Sequence, residues 1–152
     1  NFVICSGAKS ILDLSKTNEL LETLGITRIG YQTNYMPGFW YEETENKVDN
    51  KFDEIHEISS FLKLNENMGN KKSILIFNKV PLEKALNKND VEKWINNATI
   101  KADRNNISGK ELTPFLIKEI NEQSKNETLN ANVSLIINNA NLAGKIAKSF
   151  YS

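Results

Sequence analysis

One lysine stands where this chain can most readily do chemistry. Phe2 to Cys5 is a short apolar run that reads as a buried strand, Ser6-Gly7-Ala8 breaks it, and Lys9 follows as the chain turns onward. In open α/β sheets, ligands bind outside the carboxyl ends of strands. The small neighbours leave room there, so the sequence offers a primary amine beside a candidate ligand.

Other candidates are weaker. Gly7-Ala8-Lys9-Ser10 lacks the earlier glycine and the adjacent Gly-Lys of a P-loop. His56 is the only histidine, lies among glutamates on a helical stretch, and has no partners at metal-ligand spacing. It reads as solvated. Tyr35, Phe39, Trp40 and Tyr41 cluster around Pro37-Gly38. They suit either a stacking platform for a base or a loop packed on its own core, and the absence of a basic patch favours packing. Asn132 and Asn139 lie seven residues apart, hence on one helix face two turns apart. Inward asparagines need hydrogen-bond partners, and periodicity alone reads both as structural.

The elements that must position these residues follow in order. Ser10 to Asp13 has capping-box spacing. A helix from near Ser15 is expected to turn Leu20, Leu21 and Leu24 inward and to end at Gly25. Ile26–Gln32 reads as a second strand, spaced for a parallel β-α-β unit. Residues 33–48 are irregular. Phe52–Met68 is an amphipathic helix with Ile55, Ile58 and Phe61 or Leu62 inward, stopped by Gly69. Ser73–Phe77 is a third strand, buried on both faces, and Asn78-Lys79-Val80-Pro81 leaves it on the ligand side.

A helix over Asp90–Ala102 carries Val91, Trp94, Ile95, Ala98 and Ala102 at core spacing. Ser108-Gly109-Lys110 is a turn, after which Thr113 is expected to cap a helix with Pro114 at its first position. The last helix, Thr128–Phe150, is expected to bury Leu129, Val133, Ile136, Ala140, Ala143 and Ala147. The fold class is α/β, a three-layer α/β/α arrangement over a mixed or mostly parallel sheet. Its three recognisable strands read as an incomplete sheet.

The bulk numbers agree with a single globular unit over residues 1–152, with 39% hydrophobic and 25% charged residues. Zero formal net charge gives no electrostatic footprint for nucleic acid or an anionic membrane. No apolar run is long enough to span a bilayer. The single cysteine, Cys5, has no partner for an internal disulfide, which points to a reducing compartment, the cytoplasm. Lysine and asparagine are abundant and arginine is nearly absent, as A/T-biased codons would produce. The chain opens on Asn1 and runs straight into a strand, as a processed piece or a fragment would.

Ile4-Cys5-Ser6-Gly7-Ala8-Lys9-Ser10-Ile11-Leu12-Asp13 resembles the signature of the pseudouridine-5'-phosphate glycosidases, or indigoidine synthase A-like proteins. The resemblance continues in order through residues 20–25, Gly30-Tyr31-Gln32-Thr33, Pro37 and Phe39, Gly109-Lys110, Thr113-Pro114-Phe115-Leu116, Asn132-Val133-Ser134-Leu135 and Asn138-Asn139-Ala140. It aligns the chain with the C-terminal half of the family. It implies that Lys9 is the Schiff-base lysine and that Asn132 contacts the substrate, while Asn139 keeps its structural reading.

By the same resemblance, a glutamate acid, a further lysine, a histidine and the aspartate holding a divalent metal, usually Mn2+, would lie upstream of Asn1, leaving no metal ligand in this chain. The implied partners are pseudouridine 5'-phosphate, uracil, ribose 5-phosphate, the N-terminal half of the same protein, and further copies in a homo-oligomer, commonly a trimer. The chain departs from the pattern at Ser6 and Gly38, where alanine is usual, and at Asn78-Lys79-Val80-Pro81, where Asn-Pro-hydrophobic-Pro is usual.

The implied chemistry explains the lysine. Cleaving pseudouridine 5'-phosphate breaks a C–C bond, so two-carboxylate glycosidase logic has no leaving oxygen to protonate. An amine that opens the sugar and forms an imine at the anomeric carbon supplies an electron sink instead. It must be neutral to attack, and a free lysine, with a pKa near ~10.4, seldom is at pH 7. Apolar neighbours (Cys5, Gly7, Ala8), together with the upstream lysine and metal that the resemblance implies, are expected to favour the neutral amine. The acid lies outside the chain, so these 152 residues alone are expected to be inactive. The alternative is a catalytically degenerate homologue that serves as a nucleotide- or sugar-phosphate-binding or assembly module.

Overall fold

A computed structural model describes all of residues 1–152. Four strands, β1 (Phe2–Cys5), β2 (Thr27–Tyr31), β3 (Asn50–Phe52) and β4 (Ile74–Phe77), form one sheet in the order β1-β4-β2-β3. Every pairing is parallel, with Ile74 opposite both Phe2 and Thr27. Parallel neighbours need crossover connections. Helices α1 (Leu14–Thr23) and α2 (Ile55–Asn67) supply them between β1 and β2 and between β3 and β4. The carboxyl ends of all four strands therefore point the same way.

Side chains alternate across a strand. Ile29, Ile74 and Ile76 face one side and pack on Ile58 and Leu62 of α2 and on Leu142 and Ile146 of α5 (Glu127–Tyr151). Arg28 faces the other side and reaches α1. These are the three layers of an α/β/α fold. A second apolar cluster joins α3 (Lys88–Arg104), α4 (Leu112–Gln123), the start of α5, and Trp40, Tyr41 and Val80. At 1.5 Å per residue, the 25 residues of α5 span about 37 Å. Ala131 and Leu135 enter the helical cluster, whereas Leu142 and Ile146 enter the sheet core. Asn138 and Asn139 occupy the stretch between, and Asn132 lies beside the helical cluster.

Helix ends form where the residue types require. Gly25 (φ +63°) and Gly69 (φ +72°) take the left-handed position after α1 and α2. Their neighbours close Schellman bonds, Ile26 N–H to Leu21 O at 2.9 Å and Asn70 N–H to Asn65 O at 3.2 Å. Asp13, rather than Ser10, caps α1 by accepting from the Lys16 backbone N–H at 3.0 Å. That backbone bond is the main reason its carboxyl lies below its ordinary value.

Several expectations are corrected. Leu20 and Leu24 are exposed, and α1 buries Asn18 instead, because the strand residue it faces is Arg28. The buried stripe of α5 is Thr128, Ala131, Leu135, Leu142 and Ile146, while Leu129, Val133 and Ile136 are exposed. Thr113 is not an N-cap. A 3-10 turn at Gly109–Glu111 runs directly into α4, which places Thr113 second and Pro114 third. Proline is tolerated there because first-turn N–H groups have no intrahelical partner. β1 is less buried than its composition suggests, with Val3 49% exposed on the open edge of the sheet. The short, polar β3 was not anticipated.

Candidate functional site

The turn after β1 owes its shape to Gly7. Its φ is +88°, and a Cβ there would lie 2.1 Å from the Pro37 carbonyl oxygen. Only glycine meets both conditions. The turn closes with the Leu12 N–H on the Lys9 carbonyl at 2.9 Å. Ser10 Oγ donates to the Gly38 carbonyl at 2.5 Å, and the Phe39 N–H donates to the Ser6 carbonyl at 3.1 Å. The Lys9 turn and the 36–41 loop thus brace each other, one on each side of the lysine.

Lys9 is exposed and its ammonium pairs with no carboxylate. Within this chain it lies open to solvent, where enclosure by Cys5, Gly7 and Ala8 was expected. Cys5 is no rival nucleophile. Burial pushes its thiol up, against a smaller opposing effect of a backbone bond from Gly7.

The aromatic residues of the loop are packed, with no exposed stacking platform. Trp40 and Tyr41 are buried in the helical cluster. Burial, followed by the nearby Glu92 and Glu45 carboxylates, raises the Tyr41 hydroxyl above its ordinary value. Gly38 is explained by Tyr41, since a Cβ at 38 would stand 2.0 Å from the tyrosine ring. Between them Phe39 adopts φ +68°, a conformation unfavourable for a bulky residue by about 1–3 kcal/mol. It is held there by the bonds on both sides.

Both candidate asparagines of α5, Asn132 and Asn139, meet this assembly. Asn132 accepts from the Trp40 indole N–H at 2.7 Å. Asn139 donates to Ser6 Oγ at 3.1 Å and accepts from Asn78 Nδ2 at 3.1 Å, joining the carboxyl ends of β1 and β4 to the helix. Ser6, where alanine is usual, therefore adds a bond that alanine lacks. No hydrogen bond links Lys9 to Asn132. They are brought to one end of the sheet by the loop, which touches the lysine turn at Gly38 and Asn132 at Trp40.

The departure at Lys79 also has a structural account. Its Nζ lies 3.3 Å from Glu43 and 3.5 Å from Glu42, and Asn138 donates to its carbonyl at 3.1 Å. Glu43 in turn accepts from the buried Thr33 hydroxyl at 2.8 Å. Neither the Trp40–Asn132 bond nor the Lys79 pairs was anticipated. The partners in each lie far apart in sequence, and the only local signal was the aromatic run itself.

His56 is exposed, and no three His, Cys, Asp or Glu side chains gather in metal-binding geometry. These residues alone do not fit the metal that the resemblance implies. No helix is long and apolar enough to cross a membrane.

The profile of a family described as "Indigoidine synthase A like protein" matches residues 1–149. The chain belongs to that family. It is 44% identical over 145 residues to a pseudouridine-5'-phosphate glycosidase of Kosmotoga olearia, covering 95% of this chain and 50% of that one. A glycosidase of the same name from Petrotoga mobilis is also 44% identical, with 97% and 48% covered. Among solved structures, the prealnumycin C-glycosynthase AlnA, in complex with ribulose 5-phosphate, superposes with a TM-score of 0.91 at 28% identity, covering 98% of this chain and 49% of that one. An indigoidine synthase A-like protein of Thermotoga maritima gives 0.84 at 33%, covering 96% and 48%. The chain thus spans about half the length of the family members it matches.

Proposed function

We propose that this chain is the lysine-bearing C-terminal half of a pseudouridine-5'-phosphate glycosidase, with Lys9 as the nucleophile and Asn132 as a substrate contact. The observation that carries the reading is the placement of Lys9. It is the unpaired, accessible cation at the carboxyl end of β1, on a turn braced by Gly7–Pro37 and Ser10–Gly38. The names of the relatives support the substrate, and the ribulose 5-phosphate bound by AlnA supports a sugar-phosphate site.

In this reaction the Lys9 amine attacks C1′ of the sugar and the ring oxygen departs as a hydroxyl, taking a proton. The C1′–C5 bond then breaks, its electron pair goes to uracil C5, which is protonated, and the C1′ iminium remains on the lysine. Water adds to the iminium, releasing ribose 5-phosphate and regenerating the amine; every step is reversible.

The proton donor for C5, the divalent metal (Mn2+ by the resemblance) and the cover over Lys9 belong to the N-terminal half in this proposal, and no step is drawn through the metal. That half would cover the exposed edge at Val3, and homo-oligomer contacts would draw on the apolar face Leu129, Val133 and Ile136. The site would work in the cytoplasm. The 152 residues alone are then inactive, and turnover by this segment without the remaining half would refute that division of labour.

The deciding experiment is borohydride trapping of the full-length, metal-loaded protein with ribose 5-phosphate, followed by peptide mapping. A reduced sugar adduct on Lys9 is expected. No adduct on a folded protein would overturn the imine mechanism in favour of a sugar-phosphate-binding or assembly module.

A further inference from the structure

The Trp40–Asn132 bond orients a group whose orientation matters. An indole N–H donates and never accepts, whereas a carboxamide offers an accepting oxygen on one side and two donor hydrogens on the other. Trp40 is 3% exposed, so its N–H is largely withdrawn from water. The acceptor it finds is Asn132 Oδ1, at 2.7 Å. Rotating the amide by half a turn would set NH2 against N–H and leave a buried donor without a partner, which folded proteins avoid. The Asn132 Nδ2 has no protein partner and is not a buried orphan, so it faces accessible space.

The loop that delivers Trp40 is itself fixed. Gly38 is tied to Ser10, Phe39 to Ser6, and Phe39 is held in a left-handed conformation. The orientation of the amide is thereby coupled to the same turn that carries Lys9.

We propose that Trp40 is a positioning residue that locks the Asn132 carboxamide with its NH2 outward, so that Asn132 recognises an oxygen acceptor of the ligand rather than a donor. This rests on Asn132 being the substrate contact of the function proposed above. A phosphate, carbonyl or hydroxyl oxygen satisfies the geometry, and an N–H group of the ligand does not.

The test uses the full-length protein and three variants. Trp40→Phe keeps the ring and removes the donor. Asn132→Asp keeps the acceptor for the indole and removes the outward donors. Asn132→Leu removes both. In 15N-labelled protein, the Trp40 indole resonance (assigned by its loss in Trp40→Phe) should stay in its hydrogen-bonded position in Asn132→Asp. In Asn132→Leu it should move upfield and exchange faster.

Binding of ribose 5-phosphate, measured by calorimetry, is expected to weaken about tenfold in Trp40→Phe and more in Asn132→Asp. KM for pseudouridine 5'-phosphate should rise in parallel in Trp40→Phe while kcat stays within about twofold. An indole resonance that ignores Asn132→Leu overturns the lock. Unchanged affinity in a folded Trp40→Phe or Asn132→Asp overturns the role in recognition. If the wild-type protein binds no ribose 5-phosphate and cleaves no pseudouridine 5'-phosphate, the reading of the function fails, and the recognition role fails with it. The resonance experiment still decides the lock on its own.

Discussion

Arg28 and Lys9, at opposite ends of the sheet, are held in opposite ways. At the amino end, Arg28 is buried and each of its three guanidinium nitrogens has a partner. Asp49 takes its Nη2 at 2.6 Å and its Nε at 3.3 Å, Asn18 takes its Nη1 at 2.6 Å, and Glu22 lies at 2.8 Å. The hydrogen bond to Asp49 holds the guanidinium above its ordinary value despite burial. At the carboxyl end, Lys9 is exposed and unpaired, and Asn132 keeps its donors free. A cation whose partners are all internal can only stabilise. One without internal partners leaves the fold little changed when lost and remains available to a ligand. The contrast is between a cation that serves the fold and one that the proposed function can use.

Exchanging function for stability at each end is the sharpest way to break that contrast. Lys9→Ala in the full-length protein should lower kcat at least about a thousandfold, as loss of a covalent nucleophile does, with stability changed by less than about 0.5 kcal/mol. Arg28→Ala should do the reverse. Removing one partner from a fully buried pair destabilises by about 3–5 kcal/mol. Glu22 and Asp49 remain partly hydrated here, so about 2–3 kcal/mol is expected, with kcat per folded molecule unchanged. Denaturant unfolding alongside steady-state kinetics measures both. A Lys9→Ala variant that unfolds early, or an Arg28→Ala variant that is stable but inactive, would erase the distinction.

Gly38 tests whether the working end is as tightly built as the bracing suggests. The resemblance expects alanine at this position, yet the Tyr41 ring occupies the space its Cβ would need. Gly38→Ala should therefore destabilise by about 1–3 kcal/mol, the range for overpacking. Adding Tyr41→Leu should recover much of that loss, a non-additivity a double-mutant cycle would read directly. Independent, additive effects would mean that the loop adjusts freely and does not fix Trp40.

Acid sharpens the amino end. Burial alone would raise the Asp49 carboxyl, but hydrogen bonds from the Arg28 side chain and backbone N–H outweigh it and hold the group below its ordinary value. A lowered carboxylate contributes stability that is complete above its unfolded pKa, near ~3.9, and is lost as pH falls through the folded value. Stability should thus fall below about pH 4, and Asp49→Asn should flatten that acid limb. An unchanged limb would remove Asp49 from the account.

Much of this was legible in the sequence where the signal is local. The Lys9 turn, the strands at 2–5, 27–31 and 74–77, and the glycines ending α1 and α2 rest on neighbouring residues and were expected with nearly their observed bounds. What escaped was decided at a distance. α5 carries apolar residues at helical spacing on two faces, 129-133-136 and 131-135-142-146, and periodicity cannot say which faces the core. Asn18 is buried because an arginine ten residues on requires an acceptor. β3 has three residues and no pattern. Asn132 stood out through the family resemblance, whereas its orientation depends on Trp40, 92 residues away.

The smallest expected effect compares two lysines at the same end of the sheet. Lys79, like Lys9, follows a strand on the ligand side, but it is 29% exposed and paired with Glu42 and Glu43. Partly exposed pairs of this kind contribute about 0–1 kcal/mol and weaken with salt. Lys79→Ala should therefore cost less than about 1 kcal/mol at low ionic strength and less still in 0.5 M salt (roughly a 4–5 Å screening length). Borohydride trapping on Lys9 should be retained. If instead Lys79→Ala abolished trapping, position on the sheet would matter more than freedom from partners, and the criterion that singles out Lys9 would be wrong.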